Sequence, residues 1–495
     1  MNASATFPLR VAGLTIDPVL RRVSGPGGET QVEPLVMQLF LHFIDRQGEV
    51  LERRELFHHL WGNAQVGDDS LNRLVGGLRK ALESTSGGTV QIETLPRLGY
   101  RLIVEAEVAH EAPSTTRRTL IAAGASSLLV LGGAGMWLAR RDSRADAAHL
   151  VERGDVLLRD AVPLEAGEAV PPLRSALEID PSNATALGLL ALAEETRAFN
   201  GGSTNAGETL RSAEKAARAA LQLDPDEPHA RLALIDINAA SLDWSQMENR
   251  LEVLRASAPG NVHVLGSLTS FLQAAGRTSH SWRYNEQAAA AAPTSPTPLW
   301  RRALRLWTAG RTSDAMNLSE RLLPLWPKHA LVWNARFMIL AFSGRTEAAA
   351  AMLTDTVAPA RNAHPAKPEQ WLPTFAAFAE PSRANVDKAK DANLAAARRN
   401  PGQATHAAMI LSQLGEVDAA YLVIEALLLA KGPLVQSRPI VPRSFVANSP
   451  SWCRTQWLFM PPLAAVRGDS RFRTLSEELG LARYWRQRDV SLLAD

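Results

Sequence analysis

Alternating hydrophobic and polar positions in the first 105 residues predict a small α+β domain. Over the first thirty residues the alternation is short and broken by Gly and Pro, which is typical of short strands. Apolar residues then recur at helical spacing from Val36 to Ile44, behind Pro34 and before Gly48, which predicts an amphipathic helix. The stretch RRELFHHLWG predicts a second, shorter helix that ends at Gly62.

The segment DDSLNRLVGGLRKALES, residues 68–84, predicts a third helix with two unlike faces. One face is an apolar stripe made of Leu71, Leu74, Val75, Leu78 and Leu82. The opposite face carries Arg73, Gly76, Gly77 and Lys80, with Asn72 and Arg79 at its margins. The stretch VQIETLPRLGYRLIV then predicts two alternating strands joined by a tight turn. Strands, three helices and a hairpin follow one another in the order of a winged helix-turn-helix.

An uncharged run from Leu120 to Ala139 separates this domain from the rest of the chain. The run is long enough to cross a bilayer, which takes roughly 20 apolar residues. Arginines flank it on both sides, and its internal position excludes a cleaved signal peptide. The pattern predicts a single transmembrane helix over 119–139 after a linker at 106–118. A buried core helix is the alternative, because Gly, Ala and Ser lower the hydrophobicity of the run.

The sequence pattern of residues 145–495 predicts a succession of helices with a repeat period of 34 residues. Prolines recur every 34 residues from Pro225 to Pro327, and the triplet GRT keeps the same step from Gly276 to Gly344. Two markers at one period of about 34 are typical of the tetratricopeptide repeat, a helix-turn-helix unit. We expect glycine at the turn within each unit and proline where its second helix ends. The pattern predicts an all-α solenoid over 145–495, with a capping helix in the tail PPLAAVRGDSRFRTLSEELGLARYW.

Stacked helix pairs form a concave groove that commonly binds peptides, proteins or small ligands. Six tryptophans are candidates to line such a groove: Trp244, Trp282, Trp300, Trp307, Trp326 and Trp333. Because tryptophan at helical spacing is more often a core residue, we single out none of them as a ligand contact.

Composition and motif content exclude several classes of function. None of the common catalytic, phosphate-binding or metal-binding signatures occurs in the sequence, so we expect no enzyme activity, cofactor or metal. The adjacent His58 and His59 lack further ligands at suitable spacing and are expected at the surface or the edge of the core. Cys453 is the only cysteine, so no intrachain disulfide can form. The net charge of +2 indicates no particular class of partner.

Three motifs give the first domain a specific resemblance to a known family. LRKAL in the third helix, TxxxxGYR in the hairpin and LxRRELxxxxWG around the second helix are similar to the DNA-binding domain of OmpR/PhoB-type regulators. The resemblance covers residues 7–105 and implies a winged helix-turn-helix. In that family the third helix enters the major groove of DNA, and the hairpin reaches the adjacent minor groove.

The resemblance also implies a set of DNA-binding residues. These are Asn72, Arg73 and Gly76 at base edges, Arg79 and Lys80 near phosphates, Arg97 in the minor groove, and Thr94 and Arg101 in support. Up to residue 112 the domain has 11 basic and 14 acidic residues, so a local basic patch has to attract DNA.

Gly76 and Gly77 depart from the family pattern, which usually has larger polar or basic residues there. Each glycine costs a helix about 1 kcal/mol relative to alanine. Either the backbone approaches the groove closely at this point, or sequence readout shifts to Asn72, Arg73 and the hairpin.

The order of the three parts resembles ToxR/CadC-type membrane-bound regulators. A winged helix that binds promoter DNA has to be cytoplasmic, so this resemblance implies a single-pass protein of the inner membrane. The repeats would then be periplasmic and sense a ligand or protein partner. RNA polymerase, contacted through the loop WGNAQVGD, is a further implied partner, and self-association on DNA is expected. Two alternatives stay open: a soluble regulator with a buried 120–139 helix, and a membrane-tethered repeat scaffold whose winged helix contacts protein.

Overall fold

The computed structural model divides the chain into two compact units, Met1–Val156 and Leu157–Asp495. It describes residues 9–18, 20–61, 68–95, 98–104, 145–160, 163–199, 205–355, 366–399, 401–434 and 451–490. Among these residues, no helix is both long enough and apolar enough to cross a membrane. The transmembrane helix predicted over 119–139 lies outside the described residues.

The first unit begins with an antiparallel sheet whose four strands lie in sequence order. The strands are β1 (Leu9–Val11), β2 (Leu14–Asp17), β3 (Arg22–Gly25) and β4 (Gly28–Gln31). Leu14, Ile16 and Val23 on the middle strands are fully buried. The predicted short strands are therefore confirmed, and their apolar positions form one side of the core.

Three helices belong to the domain: α1 (Pro34–Asp45), α2 (Arg53–Trp61) and α3 (Asp68–Thr85). Helix α3 packs on β3 and β4, and α1 packs on α3. The apolar faces predicted for α1 and α3 are buried in one common core. Phe40 on α1 and Leu78 on α3 have no exposed surface. Burial of these faces fixes the rotation of α3 about its axis, because residues on the opposite face must then point to solvent.

A second sheet, in the order β5-β7-β6, completes the domain. Its strands are β5 (Val50–Glu52), β6 (Val90–Leu95) and β7 (Gly99–Val104). Strands β5 and β7 approach so closely at Gly99 that a Cβ there would lie 2.0 Å from the carbonyl oxygen of Leu51. Only glycine fits this position without moving a strand. Helices and sheets together form the predicted α+β winged helix.

A further helix, α4, covers residues 145–160, and its first part belongs to the first unit. Arg153 and His149 lie 3.4 and 3.5 Å from the carboxylate of Asp17 on β2. Arg22 on β3 pairs with Glu152. Polar residues thus connect α4 to the first sheet, a contact that the hydrophobic pattern of the sequence does not predict.

The second unit consists almost entirely of helices. They are α5 (Val170–Ile179), α6 (Ala184–Phe199), α7 (Ala206–Leu223), α8 (Pro228–Ile237), α9 (Trp244–Ser257), α10 (Val262–Ala274), α11 (Thr278–Ala291), α12 (Pro296–Thr308), α13 (Thr312–Leu325), α14 (Ala330–Phe342), α15 (Thr346–Thr354), α16 (Pro368–Ala379), α17 (Arg383–Arg399), α18 (Pro401–Gln413) and α19 (Val417–Leu429). Successive helices contact one another, as expected for a helical repeat array.

The 34-residue sequence period is the period of the helix pairs α10–α11, α12–α13 and α14–α15. Gly276, Gly310 and Gly344 lie in the turns within these pairs, with φ of +78°, +76° and +76°. Glycine adopts this left-handed conformation without steric cost. The repeated prolines lie two residues beyond the end of α7, α9, α11 and α13. Both expectations about the repeat are confirmed.

Aromatic side chains form the centre of the repeat core. Trp333 stacks on Phe337 with ring centroids 4.9 Å apart, and Trp371 contacts the edge of Phe337 at 4.8 Å. Trp333 and Trp307 are buried core residues, as is usual for tryptophan at helical spacing. The other four tryptophans named from the sequence are partly buried.

The C-terminal segment, residues 451–490, does more than cap the last helix. It contains α20 (Ala464–Gly468), α21 (Arg471–Glu478) and α22 (Leu481–Arg488). Thr455 donates a hydrogen bond to the carbonyl oxygen of Ala274 at the end of α10, at 2.6 Å. The hydroxyl of Tyr421 on α19 donates to the carbonyl oxygen of Val466, at 3.0 Å. The segment therefore connects the early and late helices of the unit.

Candidate nucleic-acid interface

The exposed face of α3 carries most of the candidate residues for DNA binding. Asn72, Arg73, Gly76 and Lys80 are all exposed, whereas the apolar stripe on the other side of the helix is buried. Arg73 and Lys80 form no ion pair with any residue that the structure describes. Two uncompensated positive charges thus lie less than two helical turns apart on one face.

The side-chain oxygen of Asn72 accepts hydrogen bonds from two residues that are distant in the sequence but close in space. The Arg53 guanidinium donates to it at 3.2 Å, and the Tyr100 hydroxyl donates to it at 3.1 Å. Arg53 also donates to the Tyr100 hydroxyl, at 2.7 Å. Because the oxygen is occupied, the amide nitrogen of Asn72 is left to donate a hydrogen bond outward.

Neither Arg53 nor Tyr100 is among the residues that the sequence predicts for this site. Both lie within the quoted motifs, Arg53 in LxRREL and Tyr100 in GYR, so the motifs contain these residues but do not show how they meet. Their role is to orient Asn72, which requires α2, α3 and β7 to meet at one point.

Arg79 joins α3 to the hairpin. Its Nε and Nη2 atoms donate to the carbonyl oxygen of Ile92 on β6, at 3.0 and 2.9 Å. Nη2 also donates to the hydroxyl of Thr94, at 2.6 Å. Arg79 and Thr94 therefore contact each other, which the resemblance does not predict. The role near a phosphate that the resemblance gives Arg79 stays a prediction.

Arg101 on β7 pairs with Glu93, its cross-strand neighbour on β6. The guanidinium donates to one carboxylate oxygen through Nε at 3.0 Å and through Nη2 at 2.6 Å. This pairing offsets the charge of Arg101 and braces the hairpin. Arg97, placed in the minor groove by resemblance, lies outside the described residues, as do residues 62–67 of the loop assigned to RNA polymerase.

Gly76 leaves the centre of this face without a side chain. A Cβ built there would have no heavy atom within 4 Å, so the position is open to solvent. Gly77 is also exposed, but a Cβ there would lie 3.4 Å from Val36 on α1. The two adjacent glycines thus differ in whether an added Cβ would contact the protein.

The comparisons with known proteins concern mainly this domain. Residues 27–102 match the family "Transcriptional regulatory protein, C terminal". The chain is 31% identical over 97 residues to the transcriptional activator CadC of Escherichia coli (strain K12), an alignment that covers 19% of each protein. It is 32% identical over 95 residues to the phosphate regulon transcriptional regulatory protein PhoB of Pseudomonas aeruginosa, covering 19% of this chain and 41% of that protein.

The chain thus covers 19% and 41% of the length of these two relatives, and each similarity extends over fewer than 100 residues. This domain is an OmpR/PhoB-type winged helix of the kind found in DNA-binding transcriptional regulators. A tetratricopeptide repeat protein from Parabacteroides merdae aligns with a TM-score of 0.31 and 12% identity, over 51% of this chain and 92% of that one. The repeat-like description of the second unit rests on its own helix pairs and 34-residue period.

Proposed function

We propose that the chain is a one-component transcriptional regulator whose winged helix binds promoter DNA through α3 and the β6–β7 hairpin. The observation that carries this proposal is the exposed face of α3, where an oriented amide at Asn72 lies beside the unpaired cations of Arg73 and Lys80. Such cations attract phosphates, and side chains on the same helix read base edges in the major groove. A second copy on the same DNA and RNA polymerase are the expected partners.

In this arrangement different residues contact the bases, attract the phosphates and position the hairpin. Asn72 donates its amide hydrogen to an acceptor on a base edge, while Arg53 and Tyr100 keep the amide in place. Arg73 and Lys80 supply charge at the groove, and Arg79 holds the hairpin at a fixed distance from α3. The repeat unit binds a ligand or protein partner, which couples a signal to transcription.

The test for DNA binding uses the full chain and promoter fragments recovered from cells by crosslinking. Arg73→Ala is expected to weaken specific binding by about 10- to 100-fold, since a good base contact contributes about 1–3 kcal/mol. Lys80→Ala is expected to weaken binding to all sequences. It should also reduce the slope of the logarithm of the binding constant against the logarithm of the salt concentration by about one. Gel-shift titrations at several salt concentrations measure both effects.

Arg10→Ala is the matched control, because Arg10 is an exposed arginine on β1, away from α3. It removes the same charge and should leave affinity nearly unchanged. If Arg73→Ala and Lys80→Ala bind DNA as tightly as the Arg10→Ala control and the parent chain, α3 is not the DNA-binding element.

Membrane anchoring through 119–139, with the repeats in the periplasm, is the second part of the proposal. Its support is the uncharged run between flanking arginines and the resemblance to membrane-bound regulators. The competing candidate is a regulator with both units in the cytoplasm. The contacts of Arg153 and Glu152 with β2 and β3 favour it, because they require both sides of the run to share one compartment.

Reporter fusions separate these two candidates. A reporter enzyme active only outside the cytoplasm is fused after residue 105 or after residue 150. The membrane-anchored topology predicts activity only for the fusion after 150. Inactivity at both positions, together with recovery of the intact chain in the soluble fraction, would establish the cytoplasmic candidate instead.

A further inference from the structure

Arg305 on α12 is a buried cation without an acidic partner. Its side chain is 2% exposed, and no residue that the structure describes forms an ion pair with it. Its side chain donates a hydrogen bond from Nε to the hydroxyl of Ser281 on α11, at 3.0 Å. That hydroxyl donates in turn to the carbonyl oxygen of Thr269 on α10, at 2.7 Å. Three helices thus fix the guanidinium in place.

The charge on Arg305 is retained at neutral pH. Burial, and then the nearby charge of Arg301, lower the pKa of Arg305 to about 9, which still leaves the group protonated. A buried charge without a counter-charge is costly, and proteins normally pair it or use it to bind a ligand. The repeat unit therefore contains a permanent positive charge for which its own described side chains supply no anion.

The same side of α12 carries two further hydrogen-bond donors that lack acceptors. The indole nitrogen of Trp300 and the hydroxyl of Thr297 are buried atoms with no partner among the described residues. Residues 297, 301 and 305 follow the i, i+4, i+8 spacing and lie on one side of the helix, and Trp300 lies at the edge of that side, next to Thr297 around the axis. Thr297 and Arg305 are eight residues apart, which corresponds to about 12 Å along the axis.

Arg301 adds a second guanidinium to this side. It lies over the ring of Trp300, with 5.4 Å between the guanidinium carbon and the ring centroid. Its Nη1 atom approaches the carbonyl oxygen of Gly266 on α10, at 3.5 Å. A Cβ at Gly266 would lie 2.9 Å from that nitrogen, so the glycine makes room for the arginine. Arg301 is partly exposed, so this side of α12 reaches the surface at that residue.

We propose that this side of α12 is a binding site for a small organic anion with two or more carboxylate or phosphate groups. Arg305 binds one group through its planar fork, and Trp300 and Thr297 donate to another. The site rests on the proposed role of the repeats in binding a ligand, and it defines the chemical class of that ligand. An uncharged ligand does not offset the charge of Arg305, and a single chloride ion does not reach both Arg305 and the donors of Trp300 and Thr297.

Isothermal titration of the full chain in a zwitterionic, low-salt buffer tests the site with two probes, citrate and inorganic pyrophosphate. We expect saturable binding of at least one probe, and the preferred probe identifies carboxylate or phosphate as the natural group. Arg305→Met should weaken that binding at least tenfold, because a charge-assisted bidentate contact is lost. Trp300→Phe keeps the ring, removes the donor and should weaken binding less.

Arg302→Met is the control, since Arg302 is on the same helix but pairs with Glu286 on α11, at 3.0 Å. It should bind the probe like the parent chain. Circular dichroism checks that each variant is folded, and Trp300→Phe keeps the test valid if Arg305→Met misfolds. Absence of saturable binding of either probe, or equal binding by all variants, would overturn the site. Because the titration does not involve DNA, that result leaves the proposed DNA binding intact if gel shifts are normal.

Discussion

At the scale of single residues, Gly76 is the position where helix stability and DNA binding make opposite demands. It lies in the middle of α3 and is exposed, with open space where a Cβ would lie. Gly76→Ala should therefore raise the free energy of unfolding of the domain by about 1 kcal/mol. If the backbone approaches the groove closely here, the same methyl group should lower DNA affinity. Urea denaturation and gel-shift titration measure the two effects separately.

Gly77→Ala is a matched control for this prediction. A Cβ at Gly77 would lie 3.4 Å from Val36 on α1, so the added methyl packs against the protein, unlike a methyl at position 76. We expect DNA affinity to stay as it is in the parent chain. Unchanged affinity in both variants would mean that the backbone at Gly76 does not approach the DNA closely. Sequence readout would then depend on Asn72 and Arg73.

Residue types at this interface are predictable from the sequence, but their partners are not. Helical spacing alone places Asn72, Arg73 and Lys80 away from the buried stripe, and all three are exposed. By contrast, the bonds of Asn72 to Arg53 and of Arg79 to Ile92 depend on how separate elements meet in space. A periodic pattern gives the direction of a side chain from its own helix, and it contains no information about which strand lies opposite.

At the scale of elements, helices α6 and α8 enclose two carboxyl groups whose protonation should affect stability. Burial raises the pKa of Asp236 on α8 to about 8. Burial and the neighbouring charge of Asp236 raise the pKa of Glu195 on α6 well above its usual range. The Thr196 hydroxyl donates to Glu195, while the adjacent Glu194 is paired with Arg174 and Arg197.

These shifts predict that the repeat unit is more stable in acid than in base. A raised pKa means that the folded state holds protons that the unfolded chain has already released above about pH 4. Stability should therefore fall as pH rises from there towards 8. Asp236→Asn should flatten this decline and be more stable than the parent chain at pH 8. Thermal unfolding by circular dichroism between pH 5 and 9 measures the slopes, and parallel curves would contradict the assignment.

Elements also differ in how well the sequence predicts them. The pairs from α10 to α15 repeat one pattern, so the spacing of glycines and prolines along the chain is enough to locate the turns and helix ends. The C-terminal segment has no repeat to follow. Its amphipathic helix indicates a buried face, but Trp485 donates to the carbonyl oxygen of Ala275, 210 residues earlier. Such a contact depends on the curvature of the whole array, which no local pattern encodes.

At the scale of the whole molecule, the C-terminal segment changes how the repeat unit should unfold. In a linear solenoid each repeat contacts only its neighbours, so damage at one end stays local. Here Tyr484 on α22 contacts the rings of Trp244 on α9 and Phe271 on α10, with centroids 6.1 Å apart in both cases. Arg277 also donates to the Tyr484 hydroxyl, at 3.1 Å. The end of the chain therefore stabilises helices that lie more than 200 residues earlier in the sequence.

Tyr484→Ala should consequently loosen α9 and α10 as well as the C-terminal segment itself. Loss of a buried aromatic ring costs about 3 kcal/mol, and hydrogen–deuterium exchange should become faster in both places. Tyr484→Phe keeps the ring contacts and loses the hydroxyl with its hydrogen bonds to Arg277 and Glu248, so its effect on exchange should be much smaller. Faster exchange restricted to residues 451–490 would show that the unit behaves as a linear array. Acceleration that also reaches α9 and α10 would show that the segment and these earlier helices unfold cooperatively.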